Sequence, residues 1–242
     1  MEHWEYLKPG GLRFVWADGL FRPGTDSFLL SSLPKLPAGL RVCDLGCGTG
    51  LLGLLLLQRQ WALTVTGIDI QPGAVALAER AAAENGLTDR LTFQCADLRQ
   101  IRQHFPTGSF DLVVCNPPYY TPASGKVSAD AARRAARSET EASLPEICAA
   151  ASYLLRWGGK FCLVHKPERL ADVICALREA GMEPKRLRLV HNRMTGPPSL
   201  FLIEGCRGGR PGLSMEPPLL LQNADGGPSP ELNAIYFRDQ EV

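Results

Sequence analysis

Four polar positions stand where apolar runs end: Asp44 after residues 40–43, Asp69 after 63–68, Asp97 just beyond 91–95, and Asn116 after 112–115. Asn116 opens the run Asn116-Pro117-Pro118-Tyr119-Tyr120. Neither proline can donate to a sheet ladder, and the residue before a proline is held out of the helical region. The chain therefore leaves its strand stiffly, presenting carbonyl oxygens, one amide side chain and two aromatic rings. A flat substrate bearing an NH2 group suits that set. The rings stack on its plane, while the Asn116 side-chain oxygen and the Pro117 carbonyl accept its two hydrogens. A proline-stiffened turn with aromatic packing would contain the same residues. Three further acids at three further strand ends are what a simple turn does not explain.

The elements that must hold these positions alternate. Strands are expected over 40–44, 63–68, 91–95, 110–115 and 160–165, with helices opening at 51–58, 73–85, 139–155 and 168–180. A final strand pair is expected over 186–191 and 200–204, and Trp157-Gly158-Gly159 reads as a turn. Residues 121–138 read as a polar loop. Such alternation predicts an α/β fold, a doubly wound Rossmann-like sheet that is mainly parallel with an antiparallel C-terminal strand, and ligands beyond the carboxyl ends of the strands. Ahead of it, residues 12–16 alternate around an expected hairpin closed by Asp18-Gly19, and Thr25 or Asp26 can cap a helix starting at Ser27 or take part in ligand binding. The expected organisation is an N-terminal hairpin and helix extension at 1–39 packed on a core at 40–205, with a Gly- and Pro-rich, irregular tail at 206–242.

The ligand follows from charge. Gly48-Thr49-Gly50-Leu51-Leu52-Gly53 fits the G-x-G-x-x-G pattern, and Asp69 follows at about the spacing a dinucleotide site wants. Asp44 argues against a dinucleotide, because a carboxylate there would face a pyrophosphate with no cation between them. S-adenosylmethionine reverses the electrostatics: it brings an ammonium and a sulfonium to the turn and no phosphate. Asp44 then favours the bound cation, Asp69 accepts the ribose hydroxyls, and Asp97 accepts from the adenine amine. Gly46, Gly48 and Gly50 allow close backbone approach. Ile70 and Leu98, which follow two of the acids, complete the expected cofactor set with Asn116.

Asp44-Leu45-Gly46-Cys47-Gly48-Thr49-Gly50 resembles the first motif of class I S-adenosylmethionine-dependent methyltransferases, and Asn116-Pro117-Pro118-Tyr119 resembles the signature of those that methylate amino groups. A closer similarity, to the tRNA1(Val) adenine-N6 methyltransferase family, runs through most of the chain. It is carried by Phe21-Arg22-Pro23-Gly24-Thr25-Asp26 with Leu29-Leu30, and by the doubled tyrosine at Tyr119-Tyr120. Gly158-Gly159-Lys160-Phe161, His165-Lys166-Pro167-Glu168-Arg169-Leu170 and Pro184-Lys185-Arg186-Leu187-Arg188 carry it further. The resemblance implies an enzyme that methylates the adenine 3′ of the anticodon. Asn116, Pro117 and Tyr119 would then be catalytic, holding the amine's hydrogens so that its lone pair faces the methyl donor. Pro118 and Tyr120 would meet the base, and Arg134 and Arg137, with Arg133 nearby, would join Lys185, Arg186 and Arg188 in gripping phosphates. Solvated basic faces would look the same in the sequence. His165 and His191 read as packed or exposed rather than catalytic.

Composition narrows the rest. A net charge of +1 leaves no global nucleic-acid signature, so an anionic partner needs local clusters. The longest apolar run, residues 51–57, is far short of the roughly 18 needed to span a bilayer, and the polar, acidic start predicts no secretory leader. The eight cysteines form no Cys-x-x-Cys pair. Most read as small core hydrophobes (Cys43, Cys115, Cys148, Cys162 and Cys175) in a cytoplasmic protein with no metal. Protein glutamine-N5 and ribosomal guanine-N2 methylation remain as rivals, together with a non-enzymatic RNA- or partner-binding module. Glutamine-methylating enzymes carry an N-terminal helical domain for which residues 1–39 show no pattern. An intact Asp44 turn and Asn116 signature speak against a degenerate module.

Overall fold

The computed structural model describes residues 1–18, 24–117 and 142–239. Its strands are β1 (Glu2–Tyr6), β2 (Arg13–Ala17), β3 (Arg41–Leu45), β4 (Thr64–Asp69), β5 (Leu91–Cys95), β6 (Phe110–Cys115), β7 (Leu155–His165), β8 (Met182–His191), β9 (Pro198–Arg207), β10 (Ser214–Met215) and β11 (Leu219–Leu220). The helices are α1 (Thr25–Ser31), α2 (Leu51–Arg59), α3 (Pro72–Glu84), α4 (Leu144–Leu154), α5 (Leu170–Glu179) and α6 (Pro230–Ile235). The large sheet runs β10-β8-β9-β7-β6-β3-β4-β5, with β11 also on β8. From β7 to β5 all pairs are parallel, and β9 lies antiparallel between β7 and β8. This is the expected doubly wound architecture with its antiparallel insertion.

Hydrophobic pattern dictates the two layers. Helix α2 is apolar all round, from Leu51 to Leu57, and every one of those residues is buried. Such a helix needs cover on both sides. It lies between the sheet and α1, in one cluster with Val42, Leu29, Phe14 and Val15. The other face of the sheet is covered by α4 and α5, through Cys148, Leu154, Val173 and Leu177 against Val113, Leu163 and Phe201. A capping box starts α4: Ser143 and Glu146 exchange hydrogen bonds at its first turn, as Ser-x-x-Glu before an apolar run specifies.

Three local expectations change. The N-terminal hairpin pairs β1 with β2, Glu2 opposite Ala17, so it is closed by residues 7–12 rather than by Asp18-Gly19. Asp18 instead receives the N-terminal ammonium at 3.1 Å. Asn85, at the end of α3, fixes the hairpin by bonding both the N–H and the carbonyl of Arg13. Trp157-Gly158-Gly159 is not a turn between elements but a bulge inside β7, whose register against β6 jumps from Phe110–Leu155 to Leu112–Lys160. The tail is not irregular. Strands β10 and β11 add to β8, and Leu219, Ile235 and Phe237 enter the core.

The cysteines behave largely as expected: Cys43, Cys47, Cys115, Cys148 and Cys162 are buried. Burial pushes the Cys43, Cys115 and Cys162 thiols up, and that of Cys148 to about 12, so they stay neutral. Cys175 departs from expectation, lying exposed on α5.

At the sheet end opposite the candidate site, Asp111 binds Arg41 and Arg156 together. Burial pushes its carboxyl up, but the hydrogen bonds from Arg41 and Arg156 outweigh that and bring it down to about 2. A carboxylate lowered in the folded state stabilises above the unfolded value and loses that contribution as pH falls. The window here lies between about pH 4 and pH 2. Discounted for two half-exposed arginines, Asp111→Asn should cost about 1–2 kcal/mol at neutral pH, or roughly 2–6 °C in melting temperature. Melting curves that differ as much at pH 2 as at pH 7 would rule this out.

Candidate active site

The chain reverses its winding between β3 and β6. Strands β4 and β5 extend the sheet on one side of β3, while β6 and β7 extend it on the other. The crevice above such a switch point is where open α/β sheets bind ligands. Asp44 and Asn116 stand on its two sides, with Asp69 and Asp97 on the next strands along. The glycine turn is tied to β4: the N–H groups of Gly46 and Cys47 both donate to the Ile68 carbonyl, and that of Gly48 donates to Asp69 Oδ2 at 2.8 Å. Gly50 has φ +81°, and a Cβ on it would meet the Phe93 ring at 2.8 Å. A Cβ on Gly53 would meet Leu91 at 2.9 Å, so the third glycine of the pattern lets α2 approach the sheet.

Two adjoining cavities open here. The larger, about 190 Å³, is lined by Gly46, Gly48, Asp69, Ile70, Asp97 and Leu98 among others, with Asn116 and Pro117 at its side. The smaller, about 70 Å³, holds Asp44, Thr49 and Ser27. Gly46, Gly48, Gln71 and Asn116 belong to both. Gly50 lines neither; its place is in the turn.

Asp44 is 2% exposed. Burial, reinforced by the nearby Asp69 carboxylate, pushes its carboxyl up to about 7, against one opposing hydrogen bond from the Gly53 N–H. Its Oδ2 is buried without a partner. An orphaned carboxylate oxygen in a small cavity fits a cationic ligand group, and the ammonium and sulfonium of S-adenosylmethionine supply that charge. Asp69 accepts from Gly48 and Gln71 N–H groups, one on each oxygen. Asp97 caps the short 3₁₀ segment Leu98–Gln103 and pairs with Arg99 at 2.6 Å, whose hydrogen bonds hold its carboxyl below the usual range. A paired carboxylate keeps lone pairs for a further donor such as an adenine amine.

The Asp44 shift has a signed consequence. Between about pH 4 and 7 the folded chain holds a proton that the unfolded chain has lost, so the unliganded protein loses stability as pH rises across that window. A bound cation favours the carboxylate and draws its proton off. S-adenosylmethionine should therefore release up to about one proton on binding near pH 6 and fewer above pH 8, with affinity rising as pH rises toward 7. Titration calorimetry in buffers of different ionisation enthalpy reads this directly. Equal apparent enthalpies at pH 6 would contradict it.

Asn116 is half-buried, and its Nδ2 donates to Ser27 Oγ at 3.1 Å. With Nδ2 toward Ser27, the carbonyl end of the amide is turned away from it. Ser27 is thus the α1 residue that reaches the site. Thr25 and Asp26, expected in the cofactor set or as caps, do not cap α1, since Gly24 occupies the cap position, and Thr25 lines a separate groove. A serine at a helix start carries no distinguishing signal, which is why the sequence did not single it out. Pro118, Tyr119, Tyr120, Arg133, Arg134 and Arg137 lie outside the described residues, as do residues 121–138 of the expected loop.

The β8 cations are not brought to the site. Arg186 binds buried Glu204 at 2.8 Å and Glu216 at 2.6 Å, and donates to the Leu33 carbonyl. Arg188 grips Glu231 with both terminal nitrogens, and Lys185 donates to the Arg210 carbonyl. Apart from Leu33, which follows α1, these partners come from the tail and from β9, so the cluster fastens the tail to the sheet rather than standing open to phosphates. His165 and His191 are packed as expected, His165 Nδ1 accepting from the Lys166 N–H and His191 Nδ1 lying 2.8 Å from the Gly196 carbonyl.

Comparison with known proteins agrees with this geometry. Residues 12–179 match the methyltransferase small domain family. The tRNA1(Val) (adenine(37)-N6)-methyltransferase of Tolumonas auensis is 30% identical over 213 residues, covering 88% of this chain and 86% of its own. That of Dickeya chrysanthemi is 32% identical over 215 residues, covering 86% and 83%. Among solved structures, a predicted O-methyltransferase from Agrobacterium tumefaciens superposes with a TM-score of 0.73 at 21% identity, covering 90% of this chain and 98% of that one. At that identity the likeness speaks for the fold. The chain belongs to the methyltransferase small domain family and, within it, to the tRNA1(Val) (adenine(37)-N6)-methyltransferase family.

Proposed function

We propose that the chain transfers a methyl group from S-adenosylmethionine to the exocyclic N6 of an adenine in tRNA, at the position that its relatives' names give as 37. The observation that carries this reading is the place of Asn116, which borders both the cavity beneath Asp44 and the cavity of Asp69 and Asp97. An amide at that junction stands between the two halves of an elongated, cationic ligand and beside the opening through which an amine must come. S-adenosylmethionine, when bound, supplies an electrophilic methyl group.

The chain's own residues do the rest. Asp44 holds the cationic end, Asp69 the ribose hydroxyls and Asp97 the adenine amine of the donor. The exocyclic amine of an adenine is a poor nucleophile because its lone pair is delocalised into the ring. Asn116 Oδ1 and the Pro117 carbonyl accept its two hydrogens, draw them out of the ring plane and turn the lone pair toward the reacting carbon. This is orientation joined to stabilisation of the positive charge that forms on nitrogen. The hydrogen bond from Asn116 Nδ2 to Ser27 Oγ supports this accepting orientation of the amide. Tyr119 would stack on the base, and its ring face favours the developing cation. An adenine within a stacked loop must first be extruded into the site. Among the described residues no helix is long and apolar enough to cross a membrane, and a tRNA substrate supports a cytoplasmic enzyme.

The test is methyl transfer from labelled S-adenosylmethionine to total tRNA beside a protein acceptor, followed by nucleoside analysis. N6-methyladenosine is the expected product, formed less readily as salt rises. Label entering protein alone, or a methylated guanine, would overturn the reading.

A further inference from the structure

A third opening, about 720 Å³, lies outside the catalytic crevice and is built from three distant parts of the chain. Its walls include Tyr6, Lys8 and Trp16 of the hairpin, and Tyr236, Phe237 and Arg238 after α6. Its third side is the first turn of α1, through Thr25 and Phe28. We propose that this groove docks single-stranded RNA flanking the target adenine, an inference that rests on tRNA being the substrate.

Ring faces with cations beside them are what sequence-tolerant binding of single-stranded nucleic acid uses. Tyr6 is 58% exposed although the Arg13 guanidinium lies over its ring at 5.4 Å. Arg238 lies over the Tyr236 ring at 4.8 Å and that ring stacks on Phe28 at 4.2 Å, so Tyr236 forms the wall and Tyr6 offers the exposed ring. Arg238 brings positive charge to the tail wall, where a backbone following the groove would place its phosphates. The single acid among the described lining residues, Glu5, accepts a hydrogen bond from the Trp16 indole at 2.8 Å.

The tail wall is deliberately held. Phe237 has φ +57°, the single positive value among the described non-glycine residues, and a bulky side chain adopts that region at a cost. Arg59 holds it there, with its guanidinium 4.8 Å from the Phe237 ring and a hydrogen bond to the Ile235 carbonyl. Position completes the argument. Thr25 faces the groove while Ser27, two residues on, faces Asn116. The groove and the amine clamp therefore lie on opposite sides of one helix, about 10 Å apart, within reach of a nucleotide neighbouring an extruded base.

The experiment uses the full chain with total tRNA and with an anticodon stem-loop carrying 5-bromouridine beside the target. Tyr6→Ala and Arg238→Ala should each raise the tRNA KM roughly tenfold. The kcat at saturating tRNA and the S-adenosylmethionine Kd should stay within about twofold, which also shows that the variants fold. Tyr6→Phe keeps the ring and should match wild type. Photo-cross-links should map to peptides holding Tyr6, Trp16 or Tyr236. Methylated tRNA with unchanged KM in both variants, or cross-links confined to other surfaces, would overturn the groove and leave the proposed substrate standing. Cross-links at these peptides with no RNA methylated would overturn the substrate and leave the groove as an RNA site.

Discussion

Asn116→Ala should cut single-turnover methylation of tRNA by on the order of a hundredfold or more, the usual consequence of removing one oriented polar group from the reacting centre. The affinity for S-adenosylmethionine should change little, because the proposed holders of the donor's cationic and ribose ends are Asp44 and Asp69. The amide borders both cavities and is anchored through its nitrogen to Ser27 at 3.1 Å, so its oxygen is the atom lost to catalysis. Asn116→Asp offers a sharper comparison. It keeps an acceptor oxygen but cannot donate to Ser27 when ionised and adds a charge beside Asp44. It should recover part of the rate at most. Rapid-quench measurement of one turnover separates this from product release. An alanine variant with the wild-type rate would remove the clamp from the mechanism.

Asp69→Ala should weaken S-adenosylmethionine by about 1.5–3 kcal/mol, or roughly tenfold to more than a hundredfold, the scale of charge-assisted hydrogen bonds. The structure adds a reason beyond the ribose. The same carboxylate receives the Gly48 and Gln71 N–H groups, so its loss also releases the glycine turn from β4. Asp69→Asn keeps one acceptor and should fall between alanine and wild type. Titration calorimetry gives the affinities directly. Wild-type affinity in the alanine variant, or tighter binding of a dinucleotide than of S-adenosylmethionine by the wild type, would contradict the assignment of this strand end.

Much of the catalytic half was legible in residue order. The parallel strands β3 to β6 announce themselves as short apolar runs, each ended by a glycine, an acid or a proline, and their ligand positions are local to those ends. The charge argument about Asp44 needed no coordinates either, since a carboxylate beside a glycine turn favours a cation over a pyrophosphate wherever the sheet places it. Burial then made the argument stronger: the orphaned Oδ2 follows from walls contributed by elements far apart in the chain.

The sequence could not show what depends on distant pairing. Residues 206–242 carry no periodicity because β10 and β11 are two residues each, and their strand character exists only against β8. The arginines of β8 looked like a phosphate grip for the same reason. A run of cations names no partner, and the partners Glu204, Glu216 and Glu231 lie eighteen or more residues away. Ser27 likewise meets Asn116 only because α1 packs at the end of β6, and the aromatic groove arises where the hairpin, α1 and the tail meet. By itself the sequence determined the winding of the sheet, the donor and the kind of amine chemistry, because each is written within one strand and its turn. Tertiary structure decided which cations are already paired, which serine meets Asn116 and where aromatic rings gather, because those contacts join segments that share no local pattern.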